Sequence, residues 1–208
     1  MVWHTVPKLV QHLFPRRIWR KDGTGNSIYL TFDDGPVPQI TAYVVEELAK
    51  RGQKATFFVV GDNIRKNPAL AKELVSAGHK IGNHTFNHLN GWKTNQATYL
   101  ENVTRCDEVL EDVLGIKTNL FRPPYGMLTS SQALEISRSH EVVMWNMLSG
   151  DYDQSLKPEV VLKKSIQHTK PSSIAVFHDQ AKTVDVLPKV LPQYLDFIQE
   201  MGWKTDVL

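Results

Sequence analysis

Apolar residues along this chain fall into two alternating patterns. Short unbroken runs read as buried strands, and between them apolar positions recur every three or four residues, as on one face of a helix. The run from Ile28 to Phe32 predicts a strand that stops abruptly at the turn Asp33-Asp34-Gly35-Pro36. Ile40, Val44, Val45, Leu48 and Ala49 follow at helical spacing, with Gly52 placed as a C-terminal stop. The unit then repeats. Strands are expected at Ala55 to Val60, Lys80 to Gly82, Leu120-Phe121, Glu141 to Met147, Ser173 to Phe177 and Trp203 to Val207. Helices are expected after Asn67-Pro68 as far as Gly78, over 96–114 with Gly115 ending it, around Leu134 to Ser137, over Val160 to Ile166 and over Leu187 to Met201. Seven strands separated by helices argue for an α/β fold with a parallel sheet. A closed or nearly closed (β/α) barrel suits them better than an open sheet, because no Gly-x-Gly-x-x-Gly turn follows any strand.

Ahead of the first strand, residues 7–14 space their apolar positions as on a short helix, with Pro7 suited to its first turn. Residues 1–26 are expected to form an accessory helix laid over the body and a connector, with a flexible joint from Gly23 to Asn26, and residues 27–208 to form the main domain. A length of 208 residues with 41% hydrophobic and 22% charged residues suits one such domain. A net charge of +2 is too mild to imply nucleic acid, and the one basic cluster, Arg16, Arg17, Arg20 and Lys21, reads as a solvated connector. The single cysteine, Cys106, excludes an internal disulfide and sits in a helical pattern, where it reads as packing. No apolar run is long enough to span a membrane. The first nineteen residues lack the apolar stretch and cleavage site of a signal peptide, so the protein either stays inside the cell or is a form without its export signal. A monomer is expected.

Candidate chemistry gathers just after the C-terminal ends of the expected strands: Asp33 and Asp34, His84 and His88, Arg122, Asp151 and His178. In barrels of this kind that face carries the active site. Neighbouring residues on an extended chain point in opposite directions, so Asp33 and Asp34 are suited to different jobs, one facing a metal and the other a substrate; a polar capping turn is the alternative. The spacing of His84 and His88 puts both imidazoles on one side of a helical turn. Such a pair is common in a chain with eight histidines, but one more carboxylate gives two His and one Asp, a set that leaves zinc an open position for water.

Five stretches in order carry a family resemblance. Thr31-Phe32-Asp33-Asp34-Gly35, His84-Thr85 with His88, Arg122-Pro123-Pro124-Tyr125-Gly126, Trp145 through Asp151, and Val176-Phe177-His178-Asp179 resemble the ordered motifs of the polysaccharide deacetylases, the NodB-homology domain of carbohydrate esterase family four. The family fold is a distorted β/α barrel, which agrees with the seven strands. The resemblance implies a metal-dependent hydrolase that removes acetyl groups from N-acetylglucosamine units of a chitin-like or peptidoglycan-like glycan. It further implies that Asp34, His84 and His88 hold a divalent metal, zinc or cobalt, that Asp33 is the general base and that Arg122 pairs with Asp33 and orients it. The backbone N–H of Tyr125 would stabilise the oxyanion, and His178, oriented by Asp151, would protonate the departing amine. Trp145, Pro124 and Tyr125 would contact the substrate, with core packing as the alternative for Trp145 and a rigid turn for the Pro-Pro-Tyr-Gly stretch.

The fourth stretch departs from the family pattern. Members commonly carry Asp-Ser/Thr-x-Asp-Trp, where this chain has Leu148, Ser149, Gly150, Asp151 and Tyr152. The second Asp of the pattern remains, but the groove is altered. An O-acetyl sugar esterase or small-amide hydrolase on the same site, and a catalytically silent glycan-binding barrel, are the alternatives. His79 and His140 each precede a strand and are assigned to structure.

Overall fold

The computed structural model describes residues 2–21 and 25–208, so the first half of the expected joint from Gly23 to Asn26 lies outside the described residues. The central strand β1 (Ser27–Asp33) is buried along its whole length, as its apolar run predicts. It pairs in parallel with β7 (Ile174–His178) along one edge, and on the other edge with β8 (Lys204–Asp206) at its start and β2 (Thr56–Val59) at its end. Beyond β2 come β3 (Lys80–Asn83), β4 (Leu120–Phe121) and β5 (Glu141–Val142), and beyond β7 comes β6 (Met147–Leu148). Every pairing between these strands is parallel, and the helices α2 (Ile40–Lys50), α3 (Gly61–Lys66), α4 (Pro68–Ser76), α5 (Gln96–Leu114), α6 (Ser130–Ile136), α7 (Pro158–His168) and α8 (Leu187–Glu200) connect them. This is the distorted barrel that the alternation of strands and helices predicts.

One expected strand is broken. Glu141 to Met147 reads as a single run, yet β5 and β6 lie at opposite edges of the sheet and only residues 143–146 join them. A chain of that length reaches at most ~18 Å, so the sheet curls until its two edges face each other. Between the two pieces the carbonyls of Val143 and Met144 turn to the guanidinium of Arg122 instead of to a neighbouring strand. Periodicity cannot register a change of pairing partner, so sequence shows one strand where the fold has two.

The period of two along β1 sorts its side chains. Ile28, Leu30 and Phe32 face the helix layer and pack with Phe57, Leu48, Phe177 and Tyr194, whereas Tyr29 packs with Phe58, Leu120, Val143 and Ile174 in a second cluster. Thr31 and Asp33 share the side of Tyr29, which aims Asp33 at Arg122. The helices end as their sequences indicate. Asn95 caps α5 by accepting the N–H of Thr98, and Gly115 closes it with φ 67°.

Residues 2–21 run across the seam between the two sheet edges. The Ile18 N–H donates to Val142 O, the Met144 N–H to Ile18 O and the Leu148 N–H to His4 O, while Trp19 is buried. The short helix α1 (Lys8–Leu13) forms where its spacing predicts, although it buries none of its own residues. Among the described residues, no helix is long and apolar enough to cross a membrane.

Candidate active site

Asp33 ends β1 inside the barrel, where its Oδ1 accepts a 2.7 Å hydrogen bond from Arg122 Nη1. Arg122 is wholly buried. Its guanidinium also donates to Thr31 Oγ1 (2.7 Å), Met144 O (2.9 Å) and Val143 O (3.4 Å), and lies 4.1 Å from the centre of the Phe58 ring. Burial lowers its pKa, an effect opposed by the neighbouring charge of Asp33. The next residue lies past the end of β1, where the turn sends its side chain towards His84 and His88. Asp34 takes φ 84°, and its Oδ1 lies 2.9 Å from His88 Nε2 and 3.5 Å from His84 Nε2.

The two histidines do not sit on a helical turn, which corrects the reading of their spacing. They lie in a loop after β3 in which Thr85 and His88 adopt φ 64° and 56°. Counting Asp34 and Tyr125, four of the six described non-glycine residues with positive φ belong to this cluster. Such backbone costs of order 1–3 kcal/mol per residue, so its concentration here marks a site held together for function. His84 Nδ1 donates to the carbonyl of Arg122 at 2.7 Å, which fixes the tautomer and leaves the Nε2 lone pair facing Asp34. His88 Nδ1 shares a 3.2 Å hydrogen bond with the Tyr125 hydroxyl.

This donor set fits a metal. Asp34 Oδ1 is buried yet makes no hydrogen bond of acceptable geometry, and it lies with the two imidazole nitrogens inside a sphere of mutual distances below 4.8 Å. Two imidazole nitrogens and a carboxylate oxygen facing one another are suited to a cation, and two imidazoles with one carboxylate suit zinc or cobalt. Burial acts against the charge of Asp34, but His84, His88 and the charge of His178 hold its carboxyl well below the usual range.

On the far side of β1 the register places His178 directly beside Asp33. Its Nδ1 meets Asp151 Oδ1 at 2.8 Å, its backbone N–H donates to Asp151 Oδ2 at 2.8 Å, and Ser149 Oγ donates to the same carboxylate. Burial would lower the pKa of His178, but Asp151, with help from Asp34 and Asp33, raises it to about 9. Nε2 is left for the cleft.

The cleft has a volume of about 670 Å³ and is lined by Asp33, Asp34, His84, His88, His178, Tyr125 and Trp145 among others. Tyr125 is exposed, and its backbone N–H makes no hydrogen bond among the described residues. Trp145 packs over Gly126, where an added Cβ would come within 2.7 Å of the indole. Pro124 is the exception. It is buried in the 3-10 turn Pro124–Gly126 and does not line the cleft, so the rigid-turn alternative describes it better than substrate contact. Leu148 and Tyr152, the departures of the fourth stretch, both line the cleft, and the Tyr152 ring meets the His178 imidazole edge-on at 4.9 Å.

Sequence reasoning missed three supports. Asp179, wholly buried, accepts from the Gly35 N–H (3.1 Å) and from Thr41 Oγ1 (2.6 Å) and so holds the turn that carries Asp34; burial, with Asp34 nearby, pushes its carboxyl up to about 8. Gly35 must be glycine there, since a Cβ would fall 1.9 Å from Asp179 Oδ2. Asn63 donates to the Asp34 carbonyl at 2.7 Å, and Thr31 shares Arg122 with Asp33. The alternation along β1 could have signalled Thr31. His79 and His140 stay out of the cleft: His79 accepts from the Ala55 N–H, and His140 contacts Asp107.

Comparison with known proteins agrees with this geometry. The peptidoglycan-N-acetylglucosamine deacetylase of Bacillus cereus is 30% identical over 172 residues, 80% of this chain, which spans only 62% of that relative's length. The chitooligosaccharide deacetylase of Azorhizobium caulinodans is 32% identical over 157 residues, 74% of each chain. A crystal structure of a peptidoglycan N-acetylglucosamine deacetylase superposes with a TM-score of 0.82 at 27% identity, covering 93% of this chain and 91% of that one. The family model for polysaccharide deacetylase matches residues 20–145, the part of the barrel that carries Asp33, Asp34, His84, His88 and Arg122, and the chain therefore belongs to the polysaccharide deacetylase family.

Proposed function

We propose that the domain at residues 27–208 is a metal-dependent N-deacetylase acting on N-acetylglucosamine units of a chitin-like or peptidoglycan-like glycan. The observation that carries this reading is the placement, around one cleft, of a carboxylate paired with arginine and a histidine paired with aspartate on either side of the Asp34, His84 and His88 donors. Held by those three, a divalent ion, zinc or cobalt, would polarise an acetamide carbonyl and lower the pKa of water. Arg122 occupies Asp33 Oδ1, which leaves Oδ2 to take the proton of the water that attacks the carbonyl carbon. The unpaired N–H of Tyr125 suits the oxyanion. As the C–N bond breaks, its electron pair stays on nitrogen, which takes the proton from His178 Nε2, so acetate and a free amine leave. Trp145, Leu148 and Tyr152 shape the apolar part of the cleft around the acetyl group.

The direct test is acetate release. N-acetyl chitooligosaccharides should be turned over by the metal-loaded protein, not by chelator-stripped protein, with recovery on adding zinc or cobalt. His88→Ala should lower bound metal and turnover together. Full activity after stripping, or acetate released from acetylated xylan alone, would defeat the reading.

The acid has its own signature. His178 must be protonated to act, so the rate falls as pH rises through its pKa. Asp151 raises that pKa, and a cation held by Asp34 would offset part of the rise, so the alkaline limb is expected at or below about 9. In Asp151→Asn the main raising charge is gone and burial remains, so this limb should move to lower pH. A limb that stays in place would show that Asp151 supports the fold and not the acid.

A further inference from the structure

The segment along the seam has a charge pattern unlike the rest of the molecule. Lys8, Arg16, Arg17, Arg20 and Lys21 fall in residues 2–21 with no aspartate or glutamate, so these five charges exceed the chain's net +2 and the remainder sums to −3. None of the five is in an ion pair among the described residues, and Arg17 and Arg20 donate only to the backbone carbonyls of Leu128 and Pro171. The same stretch exposes apolar surface. Trp3 is 64%, Leu9 72% and Leu13 66% exposed, and Leu9 and Leu13 stand one helical turn apart on the same side of α1. Leu13 and Phe14 border a groove of about 360 Å³ together with Leu134, Arg16 and Arg17.

This is not a loose end. Val6 and Val10 pack against the cluster of Tyr99, Phe121 and Leu128, Trp19 is buried, and the backbone is bonded to both sheet edges. A fixed element that displays aliphatic side chains beside unpaired cations has the chemistry of an interfacial helix. Nucleic acid would use the cations but give nothing for burying Leu9 and Leu13. A second copy could cover the leucines, but a two-fold contact would bring five positive charges against five. A surface of anionic phospholipid satisfies both features, taking the apolar side chains among its acyl chains and the cations at its phosphates.

We propose that residues 2–21 dock the protein on an anionic phospholipid bilayer, with Leu9, Leu13 and Phe14 inserted and Lys8, Arg16 and Arg20 on the headgroups. None of residues 2–21 lines the cleft, so the docked molecule keeps its site open to substrate. The inference goes beyond the deacetylase reading and does not depend on it.

The test is co-sedimentation of the full chain with vesicles of phosphatidylcholine, with and without phosphatidylglycerol. Binding is expected only to the anionic vesicles and should weaken as salt rises. Lys8→Ala/Arg16→Ala should lower partitioning about 25-fold, since each cation is worth about fivefold, ~1 kcal/mol. Leu9→Ala/Leu13→Ala should lower it about tenfold. All four side chains are exposed, so thermal melting should be unchanged in both variants. Absence of binding to anionic vesicles overturns the proposal, as does equal binding to neutral ones. So does a leucine variant that binds as well as the parent, or self-association of the parent that this variant abolishes.

Discussion

Arg122→Met is expected to cost about 3 to 5 kcal/mol of folding stability, the scale on which removing one partner of a buried ion pair leaves the other charge uncompensated. Asp33 is only 4% exposed, so its carboxylate would be stranded in the barrel. The carbonyls of Val143 and Met144 would lose their donor at the same time, and those residues join the two sheet edges. Against a total stability of 5–15 kcal/mol this is a large fraction, and urea denaturation would show it as a lower midpoint. Arg122→Met combined with Asp33→Asn should recover part of the loss, because the stranded charge is gone. A single-variant loss below about 1 kcal/mol would mean that water reaches the pair and that Arg122 does not hold the seam.

Asp33→Asn should keep the fold and the metal while lowering turnover by roughly a hundredfold or more, the usual scale for a proton-transfer group. The amide oxygen can still accept from Arg122, so what is lost is the basic oxygen facing the cleft. Asp34→Asn should do the reverse and weaken metal binding, since an amide is a poorer ligand between His84 and His88. Metal content by elemental analysis and turnover, measured on both variants, separate the two roles. Equal metal loss in both would refute the division of labour between adjacent carboxylates.

The end of β1 at its Asp-Asp-Gly turn was legible because that signal is local, but Asp34 lies past the strand with φ 84°, so the turn and not strand alternation directs it to His84 and His88. The end of α5 at Gly115 was legible for a similar reason, since a glycine in left-handed backbone marks a helix stop locally. His84 and His88 were found through a spacing that suggested a helix, whereas two left-handed residues in a loop bring them together. No sequence rule anticipates threonine and histidine in that conformation, because the surrounding contacts impose it. Arg122 illustrates a further limit. Its pairing with Asp33 followed from family resemblance, but its grip on Val143 and Met144 depends on a sheet edge that changes neighbours, and Pro124 was placed at the substrate when the turn buries it. Asp179 went unread because a buried carboxylate that braces a glycine turn leaves no periodic trace.

The register that sets His178 beside Asp33 also has a temporal consequence. On a ribosome adding about 5–20 residues per second, His178 is made on the order of ten seconds after Asp33, and β8, which completes the pairing of β1, later still. Through that interval β1 can pair with β2 but keeps its other edge bare, a buried apolar strand with nothing to cover it. Asp34, His84 and His88 are all made in the first half of the chain, but the pairing that sets His178 beside Asp33 comes into being only near the end of synthesis, when the C-terminal third of the chain closes over a strand made near its beginning.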